Sequence, residues 1–136
     1  MTKQIWLNLP VKDALKSKEF YSAIGFKFLE ERTTEQSACM LVGDSNFVIM
    51  LFAEAMFKNF IQNEINDTNT STQMLISIDA QSREEVDELA FNAEKAGGSI
   101  YDEPSENQGW MYGCGFSDLD GHRWNVLYMD FSKMPQ

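Results

Sequence analysis

Apolar and polar residues alternate strictly in the first segment of the chain. In IWLNLPV, every second residue from Ile5 to Val11 is aliphatic, and the positions between them hold Trp6, Asn8 and Pro10. A period of two residues is typical of a strand with one buried face. The pattern therefore predicts a half-buried strand, which Pro10 places at an edge or an end.

A helix is predicted directly after this strand, in KDALKSKEFYSAIG. Asp13 is positioned to cap its start, and Gly25 is positioned to end it in a left-handed turn. Leu15, Phe20 and Ile24 are expected to face the core. Three short strands are predicted to follow, in FKFLEER, QSACMLVG and NFVIMLF.

The same order of elements is predicted a second time. Residues 53–66 predict a linking helix, and the polar residues 67–72 predict a linker. Then come a strand in QMLISID and a helix in SREEVDELAFNAEK, where Ser82 and Glu85 form a capping-box pattern. Three more strands are predicted in SIYDE, WMYGCGFSD and HRWNVLYM.

Two copies of a βαβββ pattern predict an α+β fold with two fused modules. Module one is assigned to residues 4–52 and module two to residues 73–130, within a single domain of residues 1–136. Each module alone would form four strands and one helix, with its second sheet face uncovered. We therefore predict that the modules form a cupped, eight-stranded mixed sheet.

Composition and charge exclude several classes of protein. The 136 residues carry a net charge of -10, which repels the phosphate backbone of nucleic acid and anionic membrane surfaces. No apolar run is long enough for a membrane span, and the start MTKQIWLNLP has no signal-peptide core, so we expect a cytoplasmic protein. Cys39 and Cys114 are predicted to be free, buried thiols.

Two stretches of the chain resemble the vicinal oxygen chelate superfamily, which includes glyoxalase I, bleomycin-resistance proteins, fosfomycin-resistance proteins and extradiol dioxygenases. LNLPVKDALKSKEFYSAIGFKF is similar to the opening strand and helix of that family, and FSDLDGHRW is similar to the turn before its last strand. Among its branches, the small glyoxalase-like or PhnB-like bacterial proteins are the most similar. The resemblance covers nearly the whole chain and implies the paired-module fold.

In the metal-dependent members of that superfamily, four strand positions supply the ligands. The matching positions here hold Trp6, Ile49, Gln73 and Asn125. Zn, Ni and Fe bind imidazole, carboxylate or thiolate groups, and this set supplies none of them. We therefore predict no metal ligand, no cofactor and no catalytic residue, and we expect His122 only to order the turn that precedes the last strand.

Polar and aromatic side chains expected on the inner side of the cup are the candidate ligand contacts. Arg123 is suited to clamp a carboxylate or phosphate, although a surface ion pair would explain it equally well. The aromatic residues among the candidates are suited to stack on a flat ligand, although they would also fit ordinary core packing. The predicted ligand-binding set is Trp6, Asn8, Gln73, Ser77, Trp110, Tyr112, Arg123 and Asn125.

Three functions remain open from the sequence. The first, which we favour, is a metal-free protein that holds a small, flat or anionic molecule in the cup. The second is a metal-dependent lyase or dioxygenase of the glyoxalase type, which would need ligands that the matching positions lack. The third is a domain with a filled cup that acts through dimerisation or another protein contact. A homodimer is also expected, because the apolar face of MLISI together with Met56, Phe57 and Phe60 of the linking helix exceeds what a small chain can cover.

Overall fold

The computed structural model describes residues 1–135 and divides into two compact units, Met1–Asp67 and Thr68–Gln136. Each unit contains four strands and a helix in the order strand, helix and three strands, and the first unit ends with a second helix. Each unit pairs its four strands into a sheet of its own. The predicted α+β fold of two βαβββ modules is confirmed.

The first unit is built on a mixed sheet in the order β1-β4-β3-β2. Strand β1 pairs with β4 in parallel, and the other neighbours pair antiparallel. Helix α1 packs on β3 and β4, and α2 contacts β1 and β4. The elements of this unit are β1 (Leu7–Val11), α1 (Ala14–Ala23), β2 (Lys27–Leu29), β3 (Ser37–Val42), β4 (Phe47–Ala53) and α2 (Glu54–Ile61).

The second unit repeats this arrangement, with the sheet order β5-β8-β7-β6 and a parallel pairing of β5 with β8. Helix α3 packs on β6, β7 and β8. Under it, the rings of Phe116 and Trp124 stack in parallel with centroids 5.9 Å apart, and both side chains are fully buried. The elements are β5 (Leu75–Asp79), α3 (Arg83–Lys95), β6 (Ser99–Asn107), β7 (Met111–Ser117) and β8 (Arg123–Met129).

The helix ends follow the predicted capping chemistry, with one difference. The Asp13 carboxylate accepts hydrogen bonds from the backbone N–H groups of Leu15 and Lys16, both at 3.1 Å. The Ser82 hydroxyl accepts from the N–H of Glu85 at 3.1 Å, as a capping box requires. The Glu85 carboxylate, however, accepts from the N–H of Gln81 at 3.1 Å, one residue earlier than the capping box places it.

Three local predictions were wrong. Leu15 points away from the core, with 46% of its surface exposed. The strand predicted in FKFLEER stops at Leu29, because residues Glu30–Arg32 form a turn of 3-10 helix. Strand β6 runs well beyond the predicted SIYDE, through two irregularities in its pairing with β7. Such bulges accommodate Pro104 in this edge strand, because proline has no N–H for the ladder.

Cys39 and Cys114 are both free and buried, as predicted. Within residues 1–135, no helix is both long and apolar enough to cross a membrane.

Candidate functional site

A pocket of about 550 Å³ opens beside β1 and β4 in the first unit. Strand alternation divides the sheet into two faces, and the residues less than 5% exposed in these strands, Leu9, Val11, Ile49 and Leu51, belong to the face that packs against α1. The pocket lies on the opposite face. Its lining residues are Gln4, Ile5, Trp6, Arg32, Ser45, Asn46, Phe47, Val48, Met50 and Phe52.

Trp6 forms one wall of this pocket and remains 52% exposed. It lies immediately before Leu7, the first residue of β1. On the far side, Phe52 packs edge-to-face against Phe60 of α2, with ring centroids 5.0 Å apart. The helix therefore supports the pocket wall at Phe52.

The register of β1 and β4 corrects one predicted position. Asn8 pairs with Met50, whereas Ile49 pairs with Leu7. Paired residues on neighbouring strands point to the same face, so Ile49 lies on the α1 side, where it is 1% exposed. Met50 therefore takes the place that was assigned to Ile49 beside Asn8. The predicted position was wrong by one residue along β4. Because successive side chains of a strand point to opposite faces, this error placed Ile49 on the wrong face of the sheet.

In the second unit, three of the predicted residues form a row on the face opposite α3. Ser77 pairs with Asn125, and the amide nitrogen of Asn125 lies 3.5 Å from the Ser77 hydroxyl oxygen. Arg123 precedes Asn125 by two positions in β8 and therefore shares its face. Gln73 lies outside the sheet, in the exposed segment before β5.

Tyr101 lies across the same face and was not predicted. Its hydroxyl donates a hydrogen bond to the backbone carbonyl of Trp124 at 2.9 Å. The guanidinium of Arg123 lies 4.2 Å from the centre of the Tyr101 ring. Arg123 thus stacks on an aromatic ring, a contact that the sequence did not predict. Burial raises the pKa of Tyr101, and the positive charge of Arg123 opposes that shift.

Tyr112 and Trp110 lie apart from this row. The hydroxyl of Tyr112 donates to the carboxylate of Asp87 on α3 at 2.6 Å, so Tyr112 faces the helix, opposite Asn125. The hydrogen bond to Asp87 raises the pKa of Tyr112. Trp110 lies in the turn before β7 and packs on Phe131, with ring centroids 6.0 Å apart. Neither aromatic residue therefore lies with Arg123. Tyr112 faces α3 because it bonds to Asp87, and Trp110 packs on Phe131 instead.

Arg32 is the lining residue that the sequence interpretation missed. It ends the 3-10 turn Glu30–Arg32, and its side chain borders the pocket beside Trp6. The segment FKFLEER was interpreted as a strand with a charged end, so nothing marked Arg32 as different from other surface charges. The sequence feature that could have indicated a turn at Arg32 is the break in alternation at LEER, where three charged residues follow one another.

His122 lies in the turn before β8, and its backbone N–H helps to hold that turn. The Asp118 carboxylate accepts hydrogen bonds from the backbone N–H groups of Asp120 at 2.9 Å and His122 at 2.8 Å. Gly121 completes the turn with a φ of +89°, and its Cα faces the backbone of Thr68 so closely that a Cβ would lie 2.7 Å from the Thr68 carbonyl oxygen. This turn fixes the start of β8, and thereby the positions of Arg123 and Asn125.

The side chains present do not fit a divalent metal ion. Nowhere in residues 1–135 do three or more His, Cys, Asp or Glu side chains come together in a way that would hold one. With Met50 in place of Ile49, the matching positions carry Trp6 and Met50 in the first unit and Gln73 and Asn125 in the second, and Trp6 and Gln73 lie outside the strands. Amide oxygens and an indole supply no anionic ligand, so this donor set does not support a metal-dependent step.

Comparison with known proteins gives one match to a family and many to solved structures. Residues 3–43 match the family described as bleomycin resistance protein-like N-terminal. A hypothetical protein of S. aureus, SA1046, is 35% identical over 94% of each chain, with a TM-score of 0.84. Among curated proteins, none matches the sequence.

More distant solved structures share the fold. A glyoxalase/bleomycin resistance protein/dioxygenase family enzyme of Burkholderia phytofirmans is 19% identical over 91% of this chain and 96% of its own, with a TM-score of 0.76. The fosfomycin resistance protein FosX of Listeria monocytogenes, in a complex with Mn(II) and sulfate, is 18% identical over 98% of this chain and 94% of its own, with a TM-score of 0.69.

Proposed function

We propose that the chain is a member of the vicinal oxygen chelate superfamily that binds a small molecule in the pocket beside Trp6 and needs no metal ion to do so. The match of residues 3–43 to the bleomycin resistance protein-like family and the shared fold support the membership, and the pocket supports the binding. The single observation that carries this proposal is a pocket of about 550 Å³ lined mainly by aromatic and aliphatic side chains. Pockets for small molecules have roughly this size and an apolar lining with a few polar groups.

The exposure of Trp6 supports binding over a filled core. An indole is a large apolar surface, and leaving 52% of it in water forgoes stabilisation of about 25 cal/mol for each square ångström. A flat ligand stacked on Trp6 would recover that stabilisation. The alternative in which the site is filled and serves only as a protein contact expects Trp6 to be packed solid, and the open pocket favours the binding protein instead.

The donor chemistry supports binding over metal-dependent catalysis. A glyoxalase-type reaction needs an ion that activates the substrate, and the side chains at the matching positions are neutral. Sequestration needs only a pocket of suitable shape. The proposal therefore assigns no catalytic residue.

In the second unit, the proposal assigns ligand contacts to the row of Ser77, Arg123 and Asn125. These groups offer a hydroxyl, a guanidinium and an amide on one face of the sheet. Tyr101 occupies part of that face, since it lies over Gly115 and under Arg123. The proposal therefore rests first on the pocket beside Trp6 in the first unit.

The test is a screen of flat aromatic fragments by protein-observed NMR. We expect binders to shift the indole N–H of Trp6 and the backbone amides of Val48 and Met50, with or without EDTA. In the variant Val48→Trp, a bulky side chain on the pocket floor should abolish these shifts. Leu15→Trp places the same side chain on the exposed surface of α1 and serves as the matched control.

Two results would contradict the proposal. Fragments that bind Val48→Trp as well as the parent protein would place the site elsewhere. Binding that disappears in EDTA and returns with a divalent metal would show that an ion is part of the site, and would favour a metal-dependent enzyme.

A further inference from the structure

We infer that the pocket beside Trp6 selects an anionic ligand, a small molecule with a flat apolar body and a carboxylate, sulfonate or phosphate group that Arg32 binds. This inference rests on the proposed function and adds the chemical class of the ligand and the residue that binds its charged group. Arg32 is the one charged residue among those that line the pocket as the structure describes it.

The three arginines of the chain differ in what they contact. Arg83 forms an ion pair with Glu106, and Arg123 stacks on the ring of Tyr101. Among residues 1–135, Arg32 has no such ion pair or ring contact, although it lies next to Glu30 and Glu31 in sequence. Glu30 instead pairs with Lys18. The guanidinium of Arg32 therefore remains available to a ligand.

The surroundings of Arg32 favour a negative charge locally. Among the lining residues that the structure describes, none is acidic, although the whole chain carries a net charge of -10. Interactions between charges are screened over about 8 Å at physiological salt, so carboxylates farther away than this act weakly there.

The chemistry of the lining defines the ligand further. A guanidinium presents a planar fork of N–H donors that matches the two oxygens of a carboxylate or the oxygens of a phosphate or sulfonate. Ser45 and Asn46 add a hydroxyl and an amide from the turn between β3 and β4. That turn is held by a hydrogen bond from the N–H of Asn46 to the carbonyl of Gly43 at 3.1 Å. The apolar part of the ligand would lie on Trp6, Val48 and Phe52.

Two fluorescent probes separate charge recognition from apolar binding. 8-Anilinonaphthalene-1-sulfonate is an aromatic anion, and N-phenyl-1-naphthylamine has the same rings without the sulfonate. We expect Arg32→Gln to weaken binding of the sulfonate by about tenfold, which corresponds to about 1.4 kcal/mol, and to leave the neutral amine within about twofold. Lys16→Gln removes the same charge from the exposed surface of α1 and should change neither dissociation constant.

A salt titration and displacement experiments test the electrostatic contribution and identify the anionic group that is preferred. Raising the salt concentration should weaken binding of the sulfonate to the parent protein and should have little effect on Arg32→Gln. Displacement of the sulfonate by 1-naphthoate or by 1-naphthyl phosphate then tells a carboxylate ligand from a phosphate ligand, and either preference should be lost in Arg32→Gln.

The outcomes distinguish a failure of this inference from a failure of the proposed function. If Val48→Trp blocks both probes and Arg32→Gln leaves their ratio unchanged, the pocket binds small molecules but Arg32 does not select anions, and the inference is overturned. If Val48→Trp blocks neither probe, the pocket is not the binding site, and the proposed function fails together with the inference. Equal losses in Arg32→Gln and Lys16→Gln would trace the effect to net charge and would also overturn the inference.

Discussion

Tyr101 lies directly against Gly115, and a Cβ built on residue 115 would stand 2.4 Å from the Cζ atom of the tyrosine ring. A side chain at residue 115 would therefore have to displace the Tyr101 ring. The backbone φ of Gly115 is not in the left-handed region, so the neighbouring ring, and not the backbone conformation, disfavours a side chain there. The close approach lets the Tyr101 hydroxyl reach the carbonyl of Trp124 in the next strand but one. Tyr101 lies at a pairing irregularity of β6, between Ile100 and Asp102, and such bulges change the direction of side chains.

We predict that Gly115→Ala destabilises the protein by about 1–2 kcal/mol. The added methyl group would force the Tyr101 ring away, with loss of its hydrogen bond to Trp124 and its contact with Arg123. Denaturant unfolding measures the change. In the background of Tyr101→Ala, Gly115→Ala should cost much less, and equal costs in both backgrounds would show that the ring does not set the requirement.

Most of the fold followed from local sequence patterns. The alternation in IWLNLPV placed β1, and Asp13 and Ser82 marked the starts of α1 and α3, because capping is a local interaction between residues two or three apart. The length of β6 was not predictable in the same way. Its residues after Glu103 are polar and include Pro104, and only pairing with β7 holds them in a strand.

The candidate site was less predictable, because it depends on which face each side chain takes. A period of two residues identifies two faces but does not say which one a helix covers. Ile49 was placed on the wrong face for this reason, and the orientation of Tyr112 depends on Asp87, which lies 25 residues away in sequence. Arg32 entered the site through a 3-10 turn whose residues carry no alternation.

We predict that Asp118→Ala destabilises the protein by roughly 2–3 kcal/mol. The carboxylate accepts hydrogen bonds from two buried backbone N–H groups, those of Asp120 and His122, and alanine would leave both without an acceptor. Asp118→Asn keeps an oxygen at this position and should cost clearly less. Thermal unfolding compares the two variants, and equal costs would show that the charge matters more than the hydrogen bonds.

Both thiols are predicted to react slowly in the folded protein. Cys39 is fully buried, and burial raises the pKa of the Cys114 thiol to about 11. Only the thiolate attacks a disulfide reagent, so Cys114 would be protonated at pH 8. Labelling with a chromogenic disulfide should therefore be slow in native buffer and should reach two thiols per chain in denaturant. Rapid modification of one thiol under native conditions would contradict this prediction.

The raised pKa of Cys114 also predicts a dependence of stability on pH. The unfolded thiol ionises near its ordinary value of 9.0, whereas the folded thiol holds its proton until about 11. Between these values the unfolded state binds fewer protons, so the contribution of this group to stability falls as the pH rises. The free energy of unfolding should decline less steeply from pH 9 to pH 11 in Cys114→Ala than in the parent protein. Identical slopes would contradict a shifted thiol.

A homodimer remains a prediction. Ile5, Phe60, Met74 and Leu75 are all at least 40% exposed, and so much apolar surface is unusual on a small monomer. Light scattering at micromolar concentration should give twice the chain mass of 15.6 kDa. A monomer mass for the parent protein would contradict the prediction. In that case Phe60→Asp would leave the mass unchanged.

The last prediction concerns metal ions, because it separates a binding protein from the metal-dependent enzymes of the superfamily. Purified protein should hold no stoichiometric Zn, Ni, Mn or Fe, and adding these ions should leave the melting temperature nearly unchanged. A ligand that binds only the folded state stabilises it by about 2.7 kcal/mol at a hundredfold excess over its dissociation constant. Such a shift is readily detected by thermal unfolding.

The side chains at the matching positions explain why one substitution should not create the site. Asn125→Glu would add a carboxylate beside Ser77, yet a hydroxyl is a weak neutral ligand, and the first unit offers only Trp6 and Met50 at its matching positions. A divalent ion would lose most of its hydration for one anionic ligand, which is too little to hold it. Elemental analysis should therefore remain negative for Asn125→Glu. One metal per chain in the parent protein, lost in Asn125→Ala or Gln73→Ala, would place the metal-dependent enzyme first.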